Sequence, residues 1–131
     1  MIVDTSVWVD FFNGAQTPHG QALTDLIDER APVMLTDLIL TEVLQGIRQE
    51  REFKLIRDRL FALPVIQPAD LETFIEAARF HRRCRAAGRR IRSTIDCVIA
   101  AVAIENNLPV FHRDRDFDVI AEHCTLRIYR L

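Results

Sequence analysis

The sequence begins Met1-Ile2-Val3-Asp4-Thr5-Ser6-Val7-Trp8, in which a short apolar run ends at a carboxylate. This pattern predicts a buried strand over residues 2–3 and a helix over residues 7–12, with Ser6 as the helix N-cap. Asp4 is out of place at the end of a buried strand, because removing a charge from water is costly unless the charge is paired or binds a metal. Asp4 is therefore the first candidate functional residue.

The rest of the chain repeats this alternation of short apolar strands and helices. Further strands are predicted over residues 33–35, 65–66, 110–112 and 126–129. Further helices are predicted around residues 23–27 and over residues 38–47, 53–61, 70–88, 94–106 and 117–122. Strands that alternate with helices favour a parallel sheet with helices on both faces. We therefore expect an α/β fold, an α/β/α sandwich with a central, mostly parallel sheet of four to five strands.

Length and composition are typical of a single globular domain over residues 1–131. The chain is 49% hydrophobic and 27% charged, which is ordinary for a globular protein. The longest apolar run, Cys97 to Ile104, is far shorter than the ~20 residues that span a bilayer, and no signal peptide is predicted. The three cysteines have no disulfide-framework spacing, which favours a reducing, cytoplasmic location.

Four more acidic residues interrupt or end the most apolar segments of the chain. One lies inside a predicted helix, one comes directly before the longest apolar run, and two follow the strand predicted over residues 110–112. Sites in parallel α/β sheets gather at the carboxyl ends of the strands, so we expect these acids to converge with Asp4. Carboxylate oxygens in that number favour Mg²⁺ or Mn²⁺ over Zn²⁺. The four acids are Glu42, Asp96, Asp114 and Asp116.

Each of these acids also has an ordinary structural interpretation, with one exception. Asp4 could be an acid at a helix N-terminus, and Asp96 could offset the dipole of a helix that starts after Ser93. The two acids after the 110–112 strand could be loop residues. Glu42 has no capping role, since it lies in the middle of a helix among Leu, Ile and Val. Glu42 is therefore the acid that most favours a functional site.

Basic residues are concentrated just before Asp96. The net charge is −2, yet setting aside the five acids leaves 17 basic residues against 14 acidic ones, and sixteen of the bases are arginine. A planar guanidinium suits phosphate contacts, so the stretch is interpreted either as a track for an RNA backbone or as a solvated helix face. The RNA interpretation is favoured because the stretch leads directly to Asp96. The candidate RNA-binding residues are Arg79, Arg82 and Arg83 on one helix face and Arg89, Arg90 and Arg92 in the following loop.

Four short motifs, in this order and at this spacing, resemble those of the PIN-domain ribonucleases. They are Val3-Asp4-Thr5-Ser6-Val7-Trp8, Glu42 on its helix, Ile95-Asp96-Cys97-Val98-Ile99-Ala100-Ala101 with Ala103, and His112-Arg113-Asp114-Arg115-Asp116-Phe117. More narrowly, the whole chain resembles the VapC toxins of bacterial type II toxin–antitoxin modules. Each motif alone is weakly specific, whereas the ordered set is specific.

The resemblance implies a function, partners and a set of site residues. The function is Mg²⁺- or Mn²⁺-dependent endoribonuclease activity, in which a metal-activated water hydrolyses RNA phosphodiester bonds, with tRNA and rRNA as candidate substrates. The partners are a cognate VapB-type antitoxin and a second copy of the chain in a homodimer, for which the aromatic segment 8–12 is one possible surface. By position, the catalytic metal-binding residues are Asp4, Glu42, Asp96 and Asp114, with Asp116 as a further ligand and Ser6 as a hydroxyl partner of the first acid.

Two other functions stay open at this point. A Mg²⁺-dependent phosphohydrolase of the aspartyl-phosphate type also has acids at strand ends, but it requires Asp-x-Asp after the first strand, and Ser6 occupies the second position here. A non-catalytic RNA-binding partner would share the arginines without needing a metal. Incubation with total RNA, with and without EDTA, separates catalysis from binding.

Overall fold

The computed structural model describes residues 1–14 and 16–131, in which short strands alternate with helices. The strands are β1 (Ile2–Val3), β2 (Leu35–Thr36), β3 (Val65–Ile66) and β4 (Val110–Phe111). The helices are α1 (Thr5–Phe12), α2 (Pro18–Asp28), α3 (Asp37–Gln45), α4 (Glu50–Phe61), α5 (Leu71–Ala86), α6 (Thr94–Glu105) and α7 (Arg115–His123). This order confirms the predicted α/β fold class. Over the described residues, none of the helices has the length and apolar character needed to cross a membrane.

All strand pairing among the described residues is parallel, and each strand is two residues long. β1 pairs with β4, and β2 pairs with β3. Single parallel bridges, Ile2 to Met34 and Val110 to Ile128, connect these pairs to each other and to the segment after α7. The prediction of one sheet of four to five strands is not confirmed, because such short strands form two two-stranded sheets. The strand predicted over residues 126–129 contributes one bridge only.

Helix α6 lies in the hydrophobic core. Its residues from Asp96 to Ala103 are all buried, as expected for a helix that is apolar on every side. Helix α5 packs against α6 and α7, and α1 packs against α2 and α3. Ser93 is the N-cap of α6, and its hydroxyl accepts a hydrogen bond from the Asp96 N–H (3.3 Å). Asp96 therefore lies in the first turn of the most apolar helix of the described chain.

Helix α1 begins two residues earlier than predicted, because Asp4 rather than Ser6 is its N-cap. The carboxylate oxygen Oδ2 of Asp4 accepts a hydrogen bond from the Ser6 N–H (3.1 Å). Trp8 of α1 belongs to the core, since it is 1% exposed and its ring stacks on that of Phe12 with centroids 5.8 Å apart. This packing favours a core role for Trp8 over the suggested dimer surface, whereas Phe11 and Phe12 are only partly buried. The homodimer itself stays a prediction.

Helix α5 and the loop after it carry the arginine stretch to the start of α6. Asp70 caps the helix N-terminus by accepting a hydrogen bond from the Glu72 N–H (2.8 Å). The helix is terminated by Gly88, whose φ of +74° lies in the left-handed region, and the Arg89 N–H then donates to the Cys84 carbonyl (2.8 Å). The predicted bounds of 70–88 exceed the helix by its capping residues only.

Candidate metal centre

Four of the five predicted acids lie at helix N-termini. Asp4 is the N-cap of α1, and Asp114 is the N-cap of α7. Asp96 and Asp116 lie in the first turns of α6 and α7. The positive end of each helix dipole partly offsets the charge of these carboxylates. Because Asp114 is the cap, α7 starts two residues before the predicted position 117.

Three of these carboxylates form a compact group. One oxygen from each of Asp96, Asp114 and Asp116 lies within 4.8 Å of the corresponding oxygens of the other two. Asp96 and Asp116 are buried, and Asp114 is partly buried. The backbone N–H of Arg92 donates to Oδ2 of Asp116 (3.2 Å), which ties the loop before α6 to the start of α7. The structure thus brings together three acids that are separated along the chain.

Asp4 and Glu42 lie outside this group of three, although the charges of both act on Asp96. Asp4 is 4% exposed, and its Oδ2 accepts hydrogen bonds from both the N–H and the hydroxyl of Ser6, the latter at 2.6 Å. Glu42 is partly buried on α3, and its Oε1 accepts a hydrogen bond from the Thr5 hydroxyl (2.9 Å). Sequence analysis missed Thr5 because this contact joins two helices and residues 37 positions apart.

Burial and like charges both act on Asp96. Burial, followed by the charges of the other four acids, raises the pKa of Asp96 to about 8. Burial also raises the pKa of Asp4, although the hydrogen bonds from Ser6 oppose this shift. At neutral pH the Asp96 carboxyl therefore holds a proton that a bound cation would displace.

The oxygen atoms of this region suit a hard divalent cation. Oδ2 of Asp96 and Oδ1 of Asp116 are buried and accept no hydrogen bond from the described residues. Within the same part of the chain, none of the five acids forms an ion pair with Arg, Lys or His. Buried polar atoms without partners are rare in native proteins, and Mg²⁺ and Mn²⁺ prefer all-oxygen ligand sets. The residues present therefore fit such an ion, and its identity stays a prediction.

The loop between β4 and α7 is held by contacts that sequence analysis did not predict. Nδ1 of His112 accepts a hydrogen bond from the Asp114 N–H (3.0 Å). Because Nδ1 accepts this bond, the proton of the neutral ring belongs on Nε2, and burial lowers the pKa of His112. The Arg113 N–H donates to the hydroxyl oxygen of Ser6 (3.0 Å), which in turn donates to Asp4. The one sequence signal for His112 is its position between a strand and a candidate ligand.

The six predicted RNA-binding arginines lie on the exposed surface of α5 and the loop that follows. Two of them form ion pairs: Arg79 with two glutamates of its own helix, and Arg89 with Glu122 on α7 (2.5 Å). The other four have no carboxylate partner among residues 1–14 and 16–131. These four are Arg82, Arg83, Arg90 and Arg92.

Known proteins share both the sequence and the fold of this chain. The family model for the PIN domain matches residues 1–123. Ribonuclease VapC11 of Mycobacterium tuberculosis is 33% identical over 128 residues, which cover 97% of this chain and 96% of that protein. VapBC-5 of M. tuberculosis, a member of the VapBC family of toxin–antitoxin systems, gives a TM-score of 0.70 at 26% identity over 99% of this chain and 97% of that one. VapBC2 of Rickettsia felis, bound to a DNA fragment from its promoter, is similar in fold alone, with a TM-score of 0.75 at 16% identity over 98% and 96% of the two chains.

The raised pKa of Asp96 predicts that the metal-free protein loses stability as the pH rises. In the unfolded chain this carboxyl ionises at about pH 4, whereas in the folded protein it keeps its proton to about pH 8. The folded protein therefore binds more protons than the unfolded chain across this range, and its free energy of unfolding falls with increasing pH. Chemical denaturation in EDTA should show a fall of several kcal/mol between about pH 5 and about pH 8.

Asp96→Asn is the matched control, because an amide does not ionise in this range. Its stability in EDTA should fall less over this range, because only the raised pKa of Asp4 is left to cause a fall, and should exceed that of the wild type at about pH 8. Addition of Mg²⁺ should raise the stability of the wild type much more than that of the variant. Parallel pH profiles for the two proteins would show that the pKa of Asp96 is not raised.

Proposed function

Because this chain belongs to the PIN-domain family, and within it to the VapC group, we propose that it is a metal-dependent endoribonuclease, the toxin of a type II toxin–antitoxin module. The buried acidic group carries this proposal, since two of its oxygens have no hydrogen-bond donor among the described residues. The ribonuclease name of its relative VapC11 supports the same activity. The proposed catalytic metal ligands are Asp4, Glu42, Asp96 and Asp114, with Asp116 as a further ligand.

In this proposal the carboxylates hold and orient Mg²⁺ or Mn²⁺. When bound, the ion would supply activation of a water molecule and neutralisation of the charge that develops on the phosphate. Asp96 would release its proton on binding, because a nearby positive charge favours the ionised carboxyl. The hydroxyl of Ser6 orients Asp4, and the hydroxyl of Thr5 orients Glu42. Both acids would therefore present fixed oxygen atoms to the ion.

The alternative functions fit these observations less well. An aspartyl-phosphate phosphohydrolase needs a second carboxylate where Ser6 donates a hydrogen bond to Asp4 (2.6 Å). A thiol nucleophile beside Asp96 is disfavoured because burial raises the pKa of Cys97 to about 12. A protein that only binds RNA would gain nothing from buried carboxylates that repel one another.

The proposed activity predicts RNA cleavage that depends on both a divalent metal and Asp96. Incubated with total RNA, the purified protein should produce discrete fragments in Mg²⁺ or Mn²⁺ and none in EDTA. Asp96→Asn should slow cleavage at least about 100-fold, since losing a ligand should exceed the effect of losing a group that only orients one. Gel analysis of the fragments measures the rate, and circular dichroism checks the fold.

Asp58→Asn is the control for this experiment. Asp58 is an exposed acid of α4 that pairs with the adjacent Arg57 (3.0 Å) and lies outside the group of three acids. This variant should cleave RNA at the wild-type rate. Retention of intact RNA without fragments in either metal would contradict an enzyme and favour the binding protein.

We further infer that α5 and the loop after it bind the RNA backbone. The exposed arginines without carboxylate partners lie on this surface, and the Arg92 N–H donates to Asp116 in the acidic group (3.2 Å). A phosphate chain lying along the arginines would thus be led to the carboxylates. The ion pairs of Arg79 and Arg89 compete with phosphate, so these two residues should contribute less than the others.

The arginine track predicts a change in the salt dependence of RNA binding. Asp96→Asn is used as the background, so that bound RNA is not cut, and Arg82→Gln with Arg90→Gln is added to it. Losing two phosphate contacts on a single strand should make the slope of log K against log salt shallower by about 1.4. Fluorescence anisotropy at several salt concentrations measures this slope.

Arg57→Gln with Arg59→Gln removes the same charge from α4 and serves as the control. This pair should leave the salt slope unchanged, because α4 lies outside the proposed track. If the variant with both arginine substitutions had the same salt slope as Asp96→Asn alone, the RNA track would have to lie elsewhere.

We propose that the antitoxin binds in the groove between α1, α3 and α4. The groove has a volume of about 450 Å³, and its lining contains two acids, Glu42 and Glu52, and one base, Arg48. Glu42 belongs to both the groove and the acidic region, so a segment in the groove could extend a basic side chain to the acids. An apolar peptide with one basic residue matches this chemistry. The apolar lining consists of Val9, Phe12, Val43, Ile47 and Ile56.

Val9→Lys tests the groove directly. Val9 is 42% exposed, so the substitution should spare the core while placing a charge where an apolar segment would lie. On co-expression with the cognate VapB-type antitoxin, Val9→Lys should bind that partner more than about 10-fold more weakly. Circular dichroism checks that the free variant is folded. Leu55→Lys on α4, at a residue 54% exposed and outside the lining, should bind normally, and equal binding by all three proteins would reject the groove.

A further inference from the structure

One buried acid, Asp10 on α1, lies outside the acidic region and has a basic partner. It is 8% exposed, and its Oδ2 accepts hydrogen bonds from the hydroxyl of Thr17 (2.8 Å) and from Nη1 of Arg113 (2.5 Å). A buried carboxylate is strongly destabilising unless it is paired and hydrogen-bonded. Its partner here is the residue directly before Asp114, so the pair joins α1 to the loop that carries a proposed ligand.

Arg113 contacts α1 at two points. Its side chain reaches Asp10, and its backbone N–H donates to the hydroxyl oxygen of Ser6 (3.0 Å). Ser6 and Asp10 are four residues apart and lie on the same helix face, so the two contacts fix the orientation of the loop as well as its position. Because the Ser6 oxygen accepts from Arg113, the Ser6 hydroxyl proton is free to be directed at Asp4 (2.6 Å).

We propose that Arg113 is a positioning residue for the metal centre: held by Asp10, it keeps Asp4 and Asp114 together at a fixed separation. This inference rests on the proposed metal-dependent function. Asp4 and Asp114 cap different helices, and as ionised carboxylates they repel each other. Arg113 opposes their separation through contacts to α1 alone, without itself binding the ion.

The charge of Arg113 and its proposed positioning role predict opposite effects of its substitution on cation binding. Removing a positive charge beside the acids should strengthen cation binding through Coulomb attraction. Removing a contact that positions two ligands should weaken it. Arg115 supplies the matched control for charge, since it lies two residues away, is exposed and forms no ion pair with any described residue.

The test measures Mn²⁺ affinity from the metal-induced rise in melting temperature of the full chain. Arg113→Gln should weaken Mn²⁺ binding about 10-fold or more, the effect expected for loss of a group that orients a ligand. Arg115→Gln should bind Mn²⁺ as tightly as the wild type or more tightly. Arg113→Lys keeps the charge and should lie between Arg113→Gln and the wild type. Circular dichroism in EDTA shows whether each variant is folded.

The possible outcomes separate this inference from the function on which it rests. Unchanged or tighter Mn²⁺ binding by folded Arg113→Gln would overturn the positioning role, and if that variant does not fold, Arg113→Lys decides in the same way. A wild-type protein whose melting temperature does not respond to Mn²⁺ would reject the metal centre itself. Asp10→Asn added to Arg113→Gln should weaken Mn²⁺ binding little further, because the contact between Asp10 and Arg113 is already broken. Fully additive losses from the two substitutions would contradict the proposed role of that contact.

Discussion

Parallel pairing of β1 with β4 is the constraint on which the rest of this structure depends. Val3 aligns with Phe111, and the Asp4 N–H donates to the Phe111 carbonyl (2.8 Å). Because both strands run in the same direction, the residues that follow them emerge at the same edge. This is why Asp4 and the loop that carries Asp114 are neighbours. The helices that start at that edge then add their N-termini to the same region.

The edge also concentrates negative charge that the described side chains do not neutralise. Hydrogen bonds from Ser6 and Thr5 and the dipoles of α1, α6 and α7 each offset part of the repulsion. None of these supplies a full positive charge, and the pKa of Asp96 is raised first by burial and then by the repulsion that is left. Asp96 cannot reduce this repulsion by moving away from the other acids, because it is part of the buried helix α6. Stability of the metal-free protein is therefore limited by the same arrangement that suits a cation.

Local sequence patterns predicted most of the helices and the convergence of the acids, because these depend on neighbouring residues and on the strand-end rule. Asp70 and Gly88 delimited α5 in this way. The prediction of Ser6 as the N-cap of α1 was wrong. Either Asp4 or Ser6 can cap a helix, and the end of β1 decides which of them does. The contact between Asp10 and Arg113 joins residues 103 positions apart, and no local pattern indicates it. The single sheet of four to five strands is not confirmed for a related reason, since each strand is too short for its apolar run to define its neighbours.

The order of the elements along the chain has a consequence for synthesis on the ribosome. Asp4 is made before Asp114 and Asp116, and a chain emerging N-terminus first folds in that order. β1 has no β4 to pair with until residue 111 has left the exit tunnel, so the growing chain carries the arginines but an incomplete set of acids. A protein proposed to cut RNA is thus assembled beside ribosomal RNA in a form that lacks its full ligand set. The delay in completing the set of acids comes from the order of the strands along the chain alone and requires no second protein.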